Sequence, residues 1–330
     1  MKLFALFLLA VSAMPQSWIP HSSGSKASLR GVSAVSSRIV WASGSDGAIL
    51  LTLDGGNSWR RIWQGVQLDF RDVEAFDERT AYVLAAGPGG SSRIYKTGDG
   101  GAHWTLQFTN PDASGFFDGI AFWDFSNGIV FGDPVGEMAV FTTRDGGAHW
   151  DRQKAPAALK GEGAFAASGT SIITLGKNEC WFATGGEGAA RVFHSFDRGR
   201  SWTVVPSPVR KDSASAGIFS LAFRDSTHGI AIGGEYKKSE ESEHNLAITS
   251  DGGKTWREPH GKRPGGYRSA VVYVPKRRAW IAVGPSGSDI STDDGENWRT
   301  FNYGSYNALS VARDGSLWAV GANGRIAEYR

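Results

Sequence analysis

The chain has 330 residues, including 44 glycines and 13 tryptophans, and its formal net charge is +2 at pH 7. So small a charge excludes a bulk electrostatic attraction to nucleic acid or to an anionic membrane surface, and we expect neither partner. The one cysteine, Cys180, lacks a partner for an internal disulfide, and we expect it to be a small buried hydrophobe rather than a reactive thiol.

The first predicted element is a signal peptide, residues 1–13. One lysine precedes an apolar run that ends in the small residues Val11, Ser12 and Ala13. This arrangement is typical of a secretory signal peptide, and the run is too short to span a bilayer. The sequence therefore predicts an exported protein, periplasmic or extracellular, with no membrane span, in which residues 14–330 form a single domain.

A short motif then recurs six times along the chain. It consists of Ser or Thr, Asp two residues later, Gly two residues after that, and Trp three residues further on. The copies span residues 52–59, 97–104, 143–150, 195–202, 249–256 and 291–298. Each copy follows a short apolar run and precedes a strand-like stretch, which predicts a hairpin turn.

The motif residues are expected to fold the turn rather than to catalyse. The Asp and Ser or Thr oxygens can accept backbone N–H groups, and the Gly permits a positive φ. We therefore expect neither acid catalysis by these Asp residues nor metal binding by Asp293 and Asp294, because no calcium-loop spacing follows them.

The spacing of the motif predicts the fold. Its tryptophans lie 42 to 54 residues apart, and Trp18 lies 41 residues before Trp59, where a seventh would belong. A period of this size indicates a closed ring or an array of similar units. The three strand-like segments after Asn307 lack a fourth, which residues 17–20 are expected to supply. The prediction is an all-β, seven-bladed β-propeller of four-stranded antiparallel blades, closed by the N-terminal strand around Trp18.

The predicted innermost strands point to a candidate site. They cover residues 29–35, 70–76, 116–122, 163–168, 218–223, 267–272 and 307–311. In a propeller the starts of these strands and the adjoining loops line one end of the central channel, where a rigid scaffold positions binding residues. The candidate binding residues are Arg30, Arg71, Asp72, Phe117, Asp118, Glu162, Tyr267, Arg268 and Tyr306. Two alternatives stay open: the charged residues pair with one another, and the aromatic residues pack blade against blade.

With this motif the chain resembles the Asp-box, or BNR-repeat, propellers, and among them the extracytoplasmic proteins related to the photosystem II assembly and stability factor. The resemblance covers residues 14–330, and Phe116–Asp124 and Gly132-Asp133-Pro134 add to it. It implies a binding or scaffold protein, an assembly factor that uses its channel face. Separately, we expect a monomer. Its partner would be an envelope protein or peptide, and no cofactor or metal is expected.

A more distant resemblance to the sialidase superfamily supplies the enzyme alternative, a glycoside hydrolase acting on an extracytoplasmic glycan. That family's chemistry implies three arginines, a Tyr–Glu nucleophile pair and an Asp acid/base. Arg71, Arg268, Asp118 and Glu162 are the candidates here. The family's Arg-Ile-Pro opening corresponds to Trp18-Ile19-Pro20, which lacks the arginine, so the set is incomplete and a binding protein is favoured.

Overall fold

The computed structural model describes residues 17–63 and 65–330, so the predicted signal peptide lies outside the described residues. Within these residues the regular elements are β-strands and three short 3₁₀ helices, Gly89–Ser91, Tyr236–Lys238 and Pro275–Arg277. The strands form seven antiparallel sheets in chain order, which are the blades of a β-propeller. The all-β, seven-bladed prediction is confirmed.

The strands run from the axis outward in each blade. β1 (Trp18–Ser22) belongs to the last blade. Blade 1 consists of β2 (Leu29–Ala34), β3 (Val40–Gly44), β4 (Ala48–Thr52) and β5 (Arg60–Arg61), and blade 2 consists of β6 (Phe70–Ala75), β7 (Ala81–Ala85), β8 (Arg93–Thr97) and β9 (Thr105–Thr109). Blade 3 consists of β10 (Phe117–Phe122), β11 (Gly128–Val135), β12 (Glu137–Thr143) and β13 (Asp151–Arg152). The short strand β14 (Glu162–Gly163) precedes blade 4.

The remaining blades follow the same order. They are β15 (Ile172–Leu175), β16 (Glu179–Ala183), β18 (Arg191–Ser195), β19 (Thr203–Pro206); β20 (Ala216–Phe223), β21 (Gly229–Glu235), β22 (Leu246–Thr249); β23 (Ala270–Val274), β24 (Ala279–Gly284), β25 (Gly287–Ser291), β26 (Arg299–Asn302); and β27 (Ala308–Val311), β28 (Leu317–Val320), β29 (Arg325–Tyr329). β14 and β17 (Gly185–Gly186) extend blade 5 on its inner side, and its outer position is a single bridge between Ile248 and Arg257.

The repeated turns join the third and fourth positions of blades 1 to 6. In each, the Ser or Thr hydroxyl oxygen accepts the backbone N–H of the Gly four residues on, at 2.8–3.0 Å. These six glycines have φ between 81° and 87°. Hydrogen bonds from His103 lower the pKa of Asp99 to about 2, and Asp145 behaves alike with His149. The acidic groups of the motif are therefore engaged within their own turns.

Closure of the ring depends on β1. It pairs with β29 over five residues, from Trp18 opposite Tyr329 to Ser22 opposite Arg325. The Trp18 ring is 6 % exposed, lies 5.1 Å from the ring of Tyr306, and donates its Nε1–H to Ser288 Oγ at 3.0 Å. The N-terminal strand thus completes the last blade, as predicted, and its Trp18 side chain also fills the seam between blades 6 and 7.

The predicted innermost strand of blade 4, residues 163–168, is wrong. That strand is β15, which pairs with β16 from Ile172 opposite Phe182. Residues 164–170, which we call the channel segment, run instead across the channel to four other blades. Gly169 has a φ of +75°, a conformation that a β-strand does not adopt. A stretch of small apolar residues suits a β-strand as well as a segment that crosses the channel. The sequence pattern therefore predicts a strand here, although the chain forms the channel segment.

Replacing Trp18 by Ala is expected to loosen the closed ring. The loss of a buried tryptophan side chain costs about 3–5 kcal/mol, and here it also removes the hydrogen bond to Ser288. The urea midpoint should fall sharply for Trp18→Ala, whereas Ile19→Ala on the exposed face of the same strand should change it little. Equal midpoints for the two variants would contradict this role of Trp18.

Candidate functional site

Two cavities lie on the propeller axis. One, of about 480 Å³, is lined by the starts of the innermost strands, and we call it the mouth cavity. The other, of about 520 Å³, is lined by the middle and far ends of the same strands, and we call it the base cavity. Both have the size of small-molecule or side-chain pockets. Residues 164–167 line the mouth cavity and residues 168–170 line the base cavity, so the channel segment lies between them.

A β-bulge positions the mouth side chains. In four blades the innermost strand skips one residue in its pairing with the second strand, at the same register. The skipped residues are Arg30, Arg71, Asp118 and Phe219. All four line the mouth cavity. A bulge leaves the extra residue outside the ladder and re-aims its side chain, which here turns each of them toward the axis.

Several charged residues of the mouth hold the channel segment in place. Asp133 Oδ1 accepts the backbone N–H of Ala164 at 2.8 Å, and Arg71 Nη1 donates to the Ala166 carbonyl at 3.2 Å. Arg71 also pairs with Asp69 through Nε at 2.7 Å. On the other side of the axis, Ser168 Oγ donates to the carbonyl of Ser269 at 2.8 Å. Blades 2, 3 and 6 thus fix a segment that spans the channel.

Two polar groups in the mouth cavity remain without such partners. Arg30 is partly buried, and no hydrogen bond or close ion pair joins it to another residue in 17–63 or 65–330, although the charge of Asp69 acts on it. Asp118 is 2 % exposed, and its Oδ2 has no hydrogen-bond partner among the described residues. A buried unpaired oxygen costs about 1–3 kcal/mol, so a ligand group that hydrogen-bonds the carboxyl of Asp118 from the cavity would offset part of this cost.

An aromatic wall faces these groups. The ring of Phe165 in the channel segment stacks on Phe219 with centroids 3.9 Å apart, and Tyr267 meets Phe219 edge-on at 4.8 Å. Phe116 and Tyr236 also line the cavity. Aromatic faces of this kind take apolar side chains and planar groups. The mouth cavity therefore combines an unpaired cation, an acid and an apolar surface.

Burial dominates the electrostatics of the mouth. Desolvation, and then the charge of Asp133, raise the pKa of Asp118 well above its ordinary value, although Arg71 and backbone amides oppose the shift. Desolvation also raises the pKa of Asp133. Desolvation and the charge of Arg71 lower the pKa of Arg30, Asp69 and Tyr267 oppose this shift, and an arginine stays charged at neutral pH. Burial therefore favours the neutral form of both acids in the mouth.

Two residues proposed from the sequence for this site, Glu162 and Arg268, lie elsewhere, in buried ion pairs. Glu162 accepts hydrogen bonds from Thr184 Oγ1 at 2.6 Å and from Arg191 Nε at 2.8 Å. Arg268 is fully buried, and its Nε donates to Asp289 Oδ2 at 2.6 Å. Arg268 precedes β23 rather than standing at a bulge, so nothing turns it toward the axis. Arg71, Asp118, Glu162 and Arg268 therefore do not meet in one cavity.

Three further candidates also lie outside the mouth cavity. Phe117 is fully buried between blades, 5.8 Å from the Phe141 ring, and Tyr306 packs against Trp18. Asp72 lines the base cavity. Four of the nine proposed binding residues line the mouth cavity: Arg30, Arg71, Asp118 and Tyr267.

The sequence reasoning missed Asp133, Tyr236 and Pro285, which also line the mouth. Each stands where the second strand of its blade ends and turns to the third. In an antiparallel blade this turn lies at the same end as the start of the innermost strand. The glycines Gly132, Gly234 and Gly284 shortly before them were the available signal.

The base cavity carries a pair of acids from blade 2. One acid is Glu74, which lies opposite Tyr82 in the ladder between the first and second strands of blade 2. The residues at the corresponding position on the innermost strands of the other blades are Ser33, Ala121, Ile173, Ala222, Val272 and Ser310. Asp72 is 3 % exposed, and its Oδ2 accepts the backbone N–H of Ile120 at 3.0 Å. A Cβ on Gly169 would lie 2.2 Å from Asp72 Oδ1, so the channel segment needs Gly there to admit this acid.

The described residues contain no cluster of three or more His, Cys, Asp and Glu side chains arranged to hold a metal ion. Over the same part of the chain, no helix is both long and apolar enough to cross a membrane. The solitary Cys180 is fully buried, and burial raises the pKa of its thiol, which makes it a poor nucleophile.

Comparison with known proteins adds structural neighbours. The structure of YCF48 bound to D1 peptide matches with a TM-score of 0.66 and 15 % identity over 97 % of this chain and 98 % of that one. YCF48 from Cyanidioschyzon merolae matches at 0.65 and 16 %, over 95 % and 98 %. Streptogramin B lyase matches at 0.68 and 12 %, over 96 % and 98 %. No protein-family model and no curated protein matches the sequence. Identities this low show the fold alone.

The buried acids should make stability depend on pH. Burial raises the pKa of Asp72 from 3.8 to about 7, and burial and the charge of Asp72 raise that of Glu74. The folded state therefore holds these protons more tightly, and this stabilisation is lost as the pH rises through about 7. Asp72→Asn should raise the melting temperature at about pH 8 by several degrees and much less at about pH 5. The exposed Asp151→Asn is the matched control; an equal effect of Asp72→Asn at both pH values would contradict this reasoning.

The ion pair of Arg268 should prove structural. Arg268→Met leaves the buried Asp289 without its cation, which costs about 3–5 kcal/mol. The double variant with Asp289→Leu removes both charges and should regain most of the lost stability. Thermal unfolding of the wild type, of Arg268→Met, of Asp289→Leu and of the double variant measures this cycle. An Arg268→Met protein of unchanged stability would show that the pair does not support the fold.

Proposed function

We propose that this protein is a non-catalytic binding or scaffold protein that captures a peptide segment of a partner at the mouth cavity. The observation that carries the proposal is the unpaired Arg30 beside an aromatic wall, after the hydrogen bonds of the channel segment are accounted for. A guanidinium offers several donors to carboxylate or carbonyl oxygens, and the aromatic faces take an apolar side chain. A peptide supplies both kinds of group within a few residues.

The surface around the mouth supports a protein partner rather than a lone small molecule. Exposed apolar side chains stand on the loops at this end of the propeller. They are Val66, Val135, Leu159, Tyr236 and Tyr303, with exposed fractions from 41 % to 84 %. Val66, Leu159 and Tyr303 lie on the connections between blades. Tyr236 lies on a second-to-third strand turn, and Val135 ends the strand before such a turn. Aromatic and aliphatic residues on a rigid rim are typical of protein-binding surfaces.

The comparisons agree with this proposal without deciding it. YCF48, which has a similar fold, has been seen bound to the D1 peptide, so a propeller of this shape is compatible with peptide binding. Streptogramin B lyase shares the fold as well, and its name is that of an enzyme. Fold does not fix function, so the proposal depends on the residues of this chain.

The glycosidase alternative loses its residue set. Its carboxylate clamp would need Arg71 and Arg268 together, and its acids Asp118 and Glu162 together, yet Glu162 and Arg268 are engaged in buried ion pairs away from the mouth. A scan of sialosides and uronates with the purified protein tests it directly, and turnover there would revive it.

In our proposal the protein acts outside the cytoplasm, because residues 1–13 have the pattern of an export signal. Cell fractionation measures that location.

Peptide binding should depend on Arg30. Selection from a display library of random peptides, carried out with the wild-type protein, supplies a peptide probe. Arg30→Ala should weaken its binding by about tenfold or more, because a charge-assisted hydrogen bond contributes about 1.5–3 kcal/mol. Arg38→Ala removes an exposed arginine between β2 and β3, at the opposite end of the blade, and should leave binding unchanged. A library that yields no peptide, or equal binding by both variants, would sink the proposal.

A further inference from the structure

We propose that Asp118 enters the complex as a neutral carboxylic acid and donates a hydrogen bond from its carboxyl group to an oxygen acceptor of the bound peptide. The inference rests on the proposed function and names the chemistry of one contact in it. The acceptor is a carboxylate or a backbone carbonyl oxygen. A protonated carboxyl is a donor at one oxygen and still an acceptor at the other.

The position of Asp118 supports this role. The bulge in β10 takes it out of the strand ladder and turns it into the mouth cavity. It is 2 % exposed and lines the cavity, so its side chain is shielded from open solvent. The backbone amides of Asp133 and Ala166 lie near its carboxyl group, and Oδ2 is enclosed without a hydrogen-bond partner among the described residues. No ion pair within the described residues holds this carboxyl group, so a ligand in the cavity has no charged protein partner to displace from it.

The groups that face Asp118 decide which form of the acid is stable. Asp133, near the end of β11, adds a like charge that disfavours the ionised form of Asp118. The positive charge of Arg71, on β6, favours the ionised form. Arg71 is itself paired with Asp69, which reduces its effect. Arg30 and Tyr267 stand on the other walls, and the channel segment adds only backbone groups and Phe165. Burial is the largest influence and, together with Asp133, raises the pKa of Asp118 well above its ordinary range.

A cationic ligand is the opposite reading of an unpaired carboxyl oxygen, and the surroundings disfavour it. An ammonium group beside Asp118 would also lie in the cavity that holds the guanidinium groups of Arg30 and Arg71. Those like charges would repel it, although the carboxylate of Asp69 acts on both arginines. An oxygen acceptor is attracted both by the arginines and by a protonated Asp118. The same cavity therefore selects an oxygen-bearing, neutral or anionic group.

The first measurement is the protonation of Asp118 itself. Aspartate labelled with carbon-13 at the carboxyl carbon gives one signal per residue, and Asp118→Asn identifies the signal of Asp118 by its loss. The expected result is a carboxyl that stays protonated at neutral pH in the free protein and titrates above it. A carboxyl that is ionised at about pH 6 would overturn the inference whether or not any peptide binds.

The second measurement is the pH dependence of binding by the selected peptide. Wild-type affinity should fall by about tenfold or more between about pH 6 and pH 9, as the donor is lost and a repulsive charge appears. In Asp118→Asn the amide donates at both pH values, so most of this dependence should disappear. Asp118→Ala should also lack it and should bind weakly throughout. Asp151→Asn, on the exposed β13, is the control and should keep the wild-type profile.

The outcomes separate this inference from the proposed function. A peptide that binds the wild type equally at both pH values leaves the binding function intact and overturns the role of Asp118. A library that yields no peptide overturns both. Peptides with a free and with an amidated carboxyl terminus distinguish the acceptor: a loss on amidation identifies the terminal carboxylate, and equal binding identifies a backbone carbonyl. A lysine-rich probe that binds more tightly at higher pH would identify the cationic reading and reject ours.

Discussion

Each blade of this ring buries its two faces against its neighbours, because a single four-stranded sheet has no core of its own. The large buried side chains, such as Trp41, Trp181 and Trp318, therefore lie between blades rather than at a common centre. Such a ring is stable only when the last blade meets the first, and the pairing of β1 with β29 achieves that. The same arrangement leaves the axis without packing, so what fills the axis is decided separately from what folds the blades.

The sequence predicts how the blades fold and close into a ring, but it does not predict what fills the axis. The repeated motif fixes blade number and ring closure, because its turn chemistry and its period depend on local residues alone. The axis depends on details that no repeat reports. Residues 163–168 read as a strand since small apolar residues suit both a strand and a narrow passage, and the deciding contacts lie in distant blades. Only Gly169, next to the acid of another blade, distinguishes the two, and that neighbour is 97 positions away.

The candidate residues divide for a similar reason. Arg30, Arg71 and Asp118 face the mouth because a bulge at the same register releases each of them from its ladder. Arg268 resembles them in sequence, being a charge near the start of an innermost strand. No bulge stands there, and Asp289 on the neighbouring strand offers a buried partner. Charge and approximate position are visible in a sequence, whereas the bulge and the partner that decide where the side chain turns are properties of the paired strands.

The channel segment also organises charge along the axis. It engages Arg71, Asp133 and Ser269 on the mouth side and closes over Asp72 on the other side. The arginines thus belong to one cavity and the acid pair of blade 2 to the other, although Arg71 and Asp72 are adjacent in sequence. Without the segment, the two cavities would join into one water-filled channel. Water would then screen these charges and weaken their electrostatic interactions. Because the segment lies between the two cavities, the polar groups of the mouth are held partly or fully out of water, and burial is the largest influence on the pKa values of Arg30 and Asp118.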